Sequence, residues 1–238
     1  MDKRKKYILV IDTETANSFS DVEGKLDLTN SLVYDIGYQV IDKKGNIYEK
    51  NSFVIYDIFF GYADLMRSAY YAEKIPRYIE DIRKGKRKVV TFKTAQKIIT
   101  EAIKKYDCVV SAHNAHFDLR ALNVTLRYLT KSKQRYFFPY RTEIWDSLKM
   151  ARDIFCKQQG YINFCQENGY MTKHKTPQPR ATAEILYRYI SGNYDFVESH
   201  TGFEDVEIET EIVVFCLRAH KKMRKRLFEK PLPRQKIF

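Results

Sequence analysis

The sequence predicts an α/β layer fold, a mixed five-stranded sheet flanked by helices, and three observations predict it. Tyr7-Ile8-Leu9-Val10-Ile11 is an unbroken apolar run of strand length, the pattern of a strand buried on both faces. Leu32 to Asp42 and Ile47 to Ile55 read as two strands joined by Lys43-Lys44-Gly45-Asn46, a hairpin signal. From Thr94 to Tyr106, residues Ala95, Ile98, Ile99, Ala102, Ile103 and Tyr106 share one helical face, as in an amphipathic helix packed on a sheet. Three hairpin-connected strands followed by helix–strand–helix units make a mixed sheet with helices on it.

The elements follow in order. The first strand runs into Asp12-Thr13-Glu14, and the polar stretch from Asn17 to Asn30 reads as a loop. After the hairpin, Asp57 to Asp81 is mainly helical in pattern, interrupted by Pro76. Arg83-Lys84-Gly85-Lys86-Arg87-Lys88 then packs basic residues into a loop, and Thr94 is the expected N-cap of the amphipathic helix. Cys108 to Ala112 is a fourth strand, after which Asp118 opens a helix with Leu119, Leu122, Leu126 and Leu129 on one stripe. Ile144-Trp145-Asp146 is the fifth strand, leading into a helix from Ser147 to Phe155. The interval Cys156 to Arg180 carries Gly160, Gly169, Pro177 and Pro179, and a helix from Ala181 to Ile190 follows it. His200-Thr201-Gly202-Phe203-Glu204-Asp205 enters the last long helix. No internal repeat or long low-complexity linker divides the chain, so one domain is expected over 1–220, with a basic C-terminal tail over 221–238.

A formal charge of +12 at pH 7 suits a polyanionic partner, although a lysine-rich soluble surface accounts for it equally well. No apolar stretch approaches the ~20 residues of a membrane span, so no membrane partner is expected. The basic start, Met1 to Lys6, is followed by only five apolar residues and no cleavage site, which reads as a strand and not a signal peptide. Cys108, Cys156, Cys165 and Cys216 show no Cys-x-x-Cys spacing. Reduced thiols and a cytoplasmic location are the simple expectation.

Asp12 and Glu14, two apart on a strand, project from the same side. Side-by-side carboxylates repel unless a cation lies between them, and a hard divalent ion such as Mg²⁺ or Mn²⁺ suits oxygen ligands. Asp118, at a strand-to-helix junction, is placed to reach the same ion. Three motifs stand in order: Asp-x-Glu at Asp12/Glu14, Asn-x-x-Phe-Asp from Asn114 to Asp118, and a His followed five residues later by Asp at His200/Asp205. In these the chain resembles the DEDDh group of 3′–5′ exonucleases, which includes proofreading subunits of DNA polymerases. The resemblance covers roughly residues 6–220.

That resemblance implies a ribonuclease-H-like fold. It also implies a two-metal site with Asp12, Glu14, Asp118 and Asp205 holding two Mg²⁺ or Mn²⁺ ions. Asp12 would bridge both ions, and His200 would be the general base for the attacking water. Thr15 and Asn114 would lie at the substrate's 3′ end, and Phe117 would stack on its terminal base or belong to the core. Ala16-Asn17 departs from the Thr-Gly often found at that turn. Asp146 is expected to support the site without ligating metal. Glu204, Glu207, Glu209 and Glu211 are read mostly as complements to the helix N-terminus, and the basic clusters as grips for phosphates. The expected function is metal-dependent 3′–5′ exonuclease action on single-stranded or frayed DNA, in replication or repair, with a DNA polymerase or replication protein as a candidate partner. An RNA 3′-trimming enzyme is the nearest alternative. A catalytically silent nucleic-acid- or polymerase-binding module is the rival from another class, and the intact acidic set argues against it.

Overall fold

In a computed structural model that describes residues 6–16, 31–68, 72–130, 133 and 135–228, the apolar run forms the centre of β1 (Tyr7–Ala16). Ile8, Leu9, Val10 and Ile11 are all buried, and they alternate between two cores. Leu9 and Ile11 join one; Ile8 and Val10 join the other on the opposite face of the sheet. Both faces are therefore covered, as the continuous apolar pattern requires. β2 (Leu32–Asp42) and β3 (Ile47–Ile55) form the expected antiparallel hairpin. The expected loop at Asn17–Asn30 lies outside the described residues.

The sheet has six strands, not five, in the order β4-β3-β2-β1-β5-β6. The additional strand, β4 (Lys88–Val90), pairs parallel with β3 through Phe53↔Lys88 to Ile55↔Val90. It begins at Lys88, the last residue of the stretch read as a basic loop. Three residues at a sheet edge carry no periodic signal, and their pairing comes from β3, a partner distant in sequence. β5 (Val109–Ala112) lies parallel to β1, and β6 (Ile144–Asp146) parallel to β5.

Before β4 the chain forms two short helices, α1 (Tyr56–Phe59) and α2 (Ala63–Ser68), a 3₁₀ turn at Ala72–Lys74, and α3 (Ile75–Arg83). Pro76 lies in the first turn of α3, where its missing N–H costs nothing. α4 (Phe92–Tyr106) is the amphipathic helix, but Thr91, not Thr94, caps it: Thr91 Oγ1 accepts from the Thr94 amide at 3.2 Å. With α5 (His116–Leu129) it covers one face of the sheet. The other face is covered by α6 (Ser147–Ile154), α7 (Gln159–Glu167), α8 (Ala183–Ser191) and α9 (Gly202–Arg218). The interval 156–180 thus contains α7, whose Tyr161 and Phe164 are core residues. The Tyr161 hydroxyl donates to the Arg180 carbonyl at 2.6 Å and closes the segment on itself.

Residues beyond α9 return to the sheet edge. The Asp146 amide donates to the Lys225 carbonyl at 2.7 Å, the Leu227 amide donates to the Ile144 carbonyl at 2.8 Å, and Leu227 is buried. Several of the basic residues there are engaged within the chain. Arg224 pairs with Asp153 at 2.9 Å, Arg226 pairs with Glu143 at 2.9 Å, and Lys225 lies over the Trp145 ring. In the cluster before β4, Arg87 is buried among Asp35, Asp81 and Glu204, so it holds the fold together and offers no grip to a phosphate.

Candidate active site

β1 runs past the short strand β5, whose pairing with it ends at Val10↔Ser111, so the Asp12–Glu14 end projects beyond that neighbour. On its other side Asp12 lies opposite Gly37 and Glu14 opposite Asp35 of β2, with a register irregularity directly after Glu14. The turn after β5 leads into α5 and brings Asp118 onto β1. Asp118 Oδ1 accepts from the Thr13 amide at 3.1 Å and from the Thr13 hydroxyl at 2.8 Å.

Backbone-to-backbone packing brings up the third motif. A Cβ on Gly37 would lie 2.0 Å from the Gly202 carbonyl oxygen, so only glycine lets β2 and the start of α9 come this close. The Gly202 amide donates to Asp35 Oδ2 at 3.0 Å. That same oxygen accepts from the Tyr78 hydroxyl at 2.6 Å and pairs with Arg87 at 3.1 Å. Arg87 reaches on to Glu204 at 2.7 Å. Asp205, in the first turn of α9, is consequently delivered beside Glu14, a carboxylate oxygen of each lying within 4.8 Å of the other.

His200 occupies the loop just before α9 with a left-handed backbone, φ 51°. Lys74 Nζ donates to the carbonyl oxygen of Ser199 at 2.5 Å and lies 3.5 Å from that of His200. One ring nitrogen of His200 and one oxygen each of Glu14 and Asp205 all lie within 4.8 Å of one another. The same ring is 4.0 Å from Glu198.

The supporting positions differ in kind. Asp146 caps α6 by accepting from the Leu148 amide at 3.1 Å, and it also accepts from the Asn114 amide at 3.2 Å. It therefore holds the turn that precedes Asp118. Asn114 is exposed with φ 64°, Phe117 is half-buried, and Thr15 is buried at the β1 irregularity.

Glu209, read with its neighbours mostly as a complement to the helix N-terminus, belongs to the acidic centre. It lies one turn beyond Asp205 on the same face of α9, is 4% exposed, and accepts from the His113 amide at 3.1 Å. The i,i+4 spacing from Asp205 was the available signal. Of its neighbours, Glu207 and Glu211 are exposed, and Glu204 belongs to the Arg87 network and pairs with Arg77 as well. Lys74 and Glu198 were also not anticipated; they come from segments with no motif.

The electrostatics are those of a site made for a cation. Burial, then Glu209, Asp118, Glu14 and Asp205, hold the Asp12 carboxyl well above its usual range. Burial and then Asp205 do the same to Glu14. Burial pushes Asp118 up to about 7 against the opposing hydrogen bonds from Thr13. Burial, Glu198 and Glu204 push Asp205 up to about 8. Asp12 Oδ2 and Asp205 Oδ1 are buried oxygens without a hydrogen-bond partner. Unpaired buried carboxylate oxygens are costly unless a cation compensates them. An oxygen-rich donor set of this kind fits a hard divalent ion.

No family model matches the sequence, and no curated protein sequence matches it. At the level of structure the fold is that of the ribonuclease-H-like exonucleases. One similar structure describes 3′-end-specific recognition of a histone mRNA stem-loop by a 3′-exonuclease, with a TM-score of 0.60 and 11% identity over 94% of this chain and 86% of that one. Another is the nuclease domain of 3′hExo, a DEDDh family member, bound to rAMP, with a TM-score of 0.55 and 14% identity over 98% of this chain and 100% of that one. A third is E. coli Exonuclease I with a dA16 oligonucleotide, with a TM-score of 0.51 and 16% identity over 89% of this chain and 40% of that one.

Proposed function

We propose that this chain is a metal-dependent 3′–5′ exonuclease that hydrolyses the terminal phosphodiester of single-stranded or frayed nucleic acid, with DNA as its first substrate. The observation that carries the reading is the convergence of half-buried Asp12 with buried Glu14, Asp118 and Asp205 from β1, α5 and α9, with unpaired buried oxygens on Asp12 and Asp205. A binding module has no use for such a costly set of carboxylates. These four residues would hold two Mg²⁺ or Mn²⁺ ions. When bound, such ions supply charge neutralisation at the phosphate and a more acidic water.

The chain's own residues do the rest. Burial and Lys74 keep His200 below its usual pKa, so its ring is neutral at physiological pH and accepts a proton from the attacking water at a ring nitrogen. Asp146 and Glu209 hold the 113–114 turn from either side through the Asn114 and His113 amides. In this way they orient Asp118. Asn114 and Phe117 meet the terminal nucleotide from that turn, and buried Thr15 contributes through its backbone. Cys156, Cys165 and Cys216 stand outside any disulfide, which suits a cytoplasmic location. RNA is the second reading, favoured by the fold overlap with a 3′-exonuclease that recognises an RNA stem-loop.

The test is hydrolysis of 5′-labelled single-stranded DNA and RNA in Mg²⁺ or Mn²⁺. A ladder shortening from the 3′ end, abolished by chelation, is expected. Absence of products from both strands in both metals would overturn the reading. A faster ladder on RNA would move the assignment to the second.

A further inference from the structure

From Leu119 to Thr142 the sequence has six Lys or Arg residues and no acidic residue. Three of these basic residues meet in one place. A cleft of about 440 Å³ on α5 and the segment after it is lined by His116, Arg120, Asn123, Arg127, Arg135 and Tyr136, among others. Residues 116, 120, 123 and 127 follow the 3.6-residue period along one side of α5. Asp118, Ala121, Leu122, Thr125 and Leu126 are buried toward the sheet, so the cleft lies on the side turned away from the acidic centre. Arg120, Arg127 and Arg135 are exposed, and among the described residues none has a carboxylate partner; Arg127 donates to the Asn123 carbonyl at 3.1 Å. Three like charges around one concave surface repel one another unless an anion lies among them. A guanidinium presents its donors in a fork that matches phosphate.

We infer that this cleft is a second nucleic-acid contact, which binds backbone phosphates of the strand several nucleotides upstream of the 3′ end held at the acidic centre. Arg120 and Arg127 are seven residues apart, about 10 Å along the helix axis at 1.5 Å per residue. That length matches roughly three nucleotides of a stacked strand at about 3.4 Å each. The strand reaches the cleft over the N-terminal end of α5, where His116 is exposed. Tyr136, exposed at the cleft wall, offers a ring face for a base. The assignment of the upstream direction rests on the exonuclease reading; the phosphate contact itself does not.

The test is binding of a fluorescent 20-nucleotide strand in EDTA across a salt series, for the wild type and for Arg120→Ala/Arg135→Ala. Both side chains are exposed, and an unchanged melting temperature confirms that the variant folds. We expect an affinity loss of about tenfold or more at low salt. The slope of log affinity against log salt should shrink by about 1.4, near 0.7 for each lost contact to a single strand. Hydrolysis of a dinucleotide, too short to reach the cleft, should be unchanged. Equal affinity and slope for the two proteins would overturn the inference. Displacement of the strand by a mononucleotide at equal phosphate concentration would also overturn it, in favour of a mononucleotide site. A wild type that binds strands in this salt-dependent way but cleaves none would instead sink the exonuclease reading and leave the cleft standing.

Discussion

Asp118 and His200 show how much a single residue's surroundings decide. Asp118 is an ordinary aspartate in the sequence, yet burial raises it to about 7 and Thr13 fixes one of its oxygens. Asp118→Asn keeps an acceptor for Thr13 and removes the charge. On the proposed function it should lower turnover by three orders of magnitude or more, because the proposed metal site would lose one ligand. The chelated variant should melt no lower than the wild type, since a repelling carboxylate has gone. Turnover in Mg²⁺ within tenfold of wild type would remove Asp118 from the site. His200→Ala should slow turnover by roughly two to four orders of magnitude, the range for loss of a general base, and should abolish the acidic limb of the pH–rate profile. The wild-type limb should have its midpoint below the ordinary ~6.5 of imidazole, because burial and Lys74 lower it. Calorimetry with Mn²⁺ separates two roles for a ring that lies within 4.8 Å of Glu14 and Asp205 oxygens. Unchanged Mn²⁺ affinity marks a base, and a large loss of affinity marks a ligand.

At the scale of elements, the position of Asp205 depends on how α9 is seated. Nothing in the helix itself aims Asp205 at Glu14; the aim comes from the Gly37–Gly202 contact and from Asp35, which ties the Gly202 amide to Arg87 and Tyr78. Gly37→Ala should therefore act at a distance from the carboxylates. Its Cβ would meet backbone atoms at 2.0–2.6 Å, and backbone cannot rotate away. Overpacking of this kind costs about 1–3 kcal/mol or more. A lower urea midpoint should accompany weakened Mn²⁺ binding even though every proposed ligand is retained. A variant with wild-type midpoint and wild-type Mn²⁺ affinity would show that the contact does not set the position of α9. Element identities were largely legible beforehand. The hairpin strands and the amphipathic helix carry a period or a run that only one conformation uses. β4 and α7 were not legible, since β4 exists through pairing with β3 and α7 through packing of Tyr161 and Phe164 into the second core.

For the whole molecule, the acidic centre couples stability to pH and, on the proposed function, to metal. Asp118 at about 7 and Asp205 at about 8 lie above the ~3.9 of an unfolded aspartate. Between those limits the unfolded chain binds fewer protons than the folded one, so stability falls as pH rises. His113 and His200, both lowered, act in the opposite sense below about 6.5. Glu204 is lowered too, but its contribution is lost only below its ordinary carboxylate range. The clean window is therefore about pH 6.5–8. There the melting temperature of chelated protein should fall as pH rises. Saturating Mn²⁺ should reverse the slope, because metal competes with those protons and binds tighter as they leave. A chelated protein whose melting temperature rises across the window would contradict the crowding of carboxylates described above.

The sequence by itself determined the class of fold, the order of most elements, and the four carboxylates and the histidine proposed for the site. Those features are local: a strand's run, a helix's period, and motifs whose residues lie within five or six positions of one another. The tertiary structure alone decided that Glu209 belongs beside Asp12 and that Lys74 holds the carbonyls at His200. It also decided that Arg87 is buried while Arg120, Arg127 and Arg135 open onto a shared cleft. Identical side chains acquire different roles there, because burial and the charge of neighbours far away in the chain set what each one costs and what it can bind.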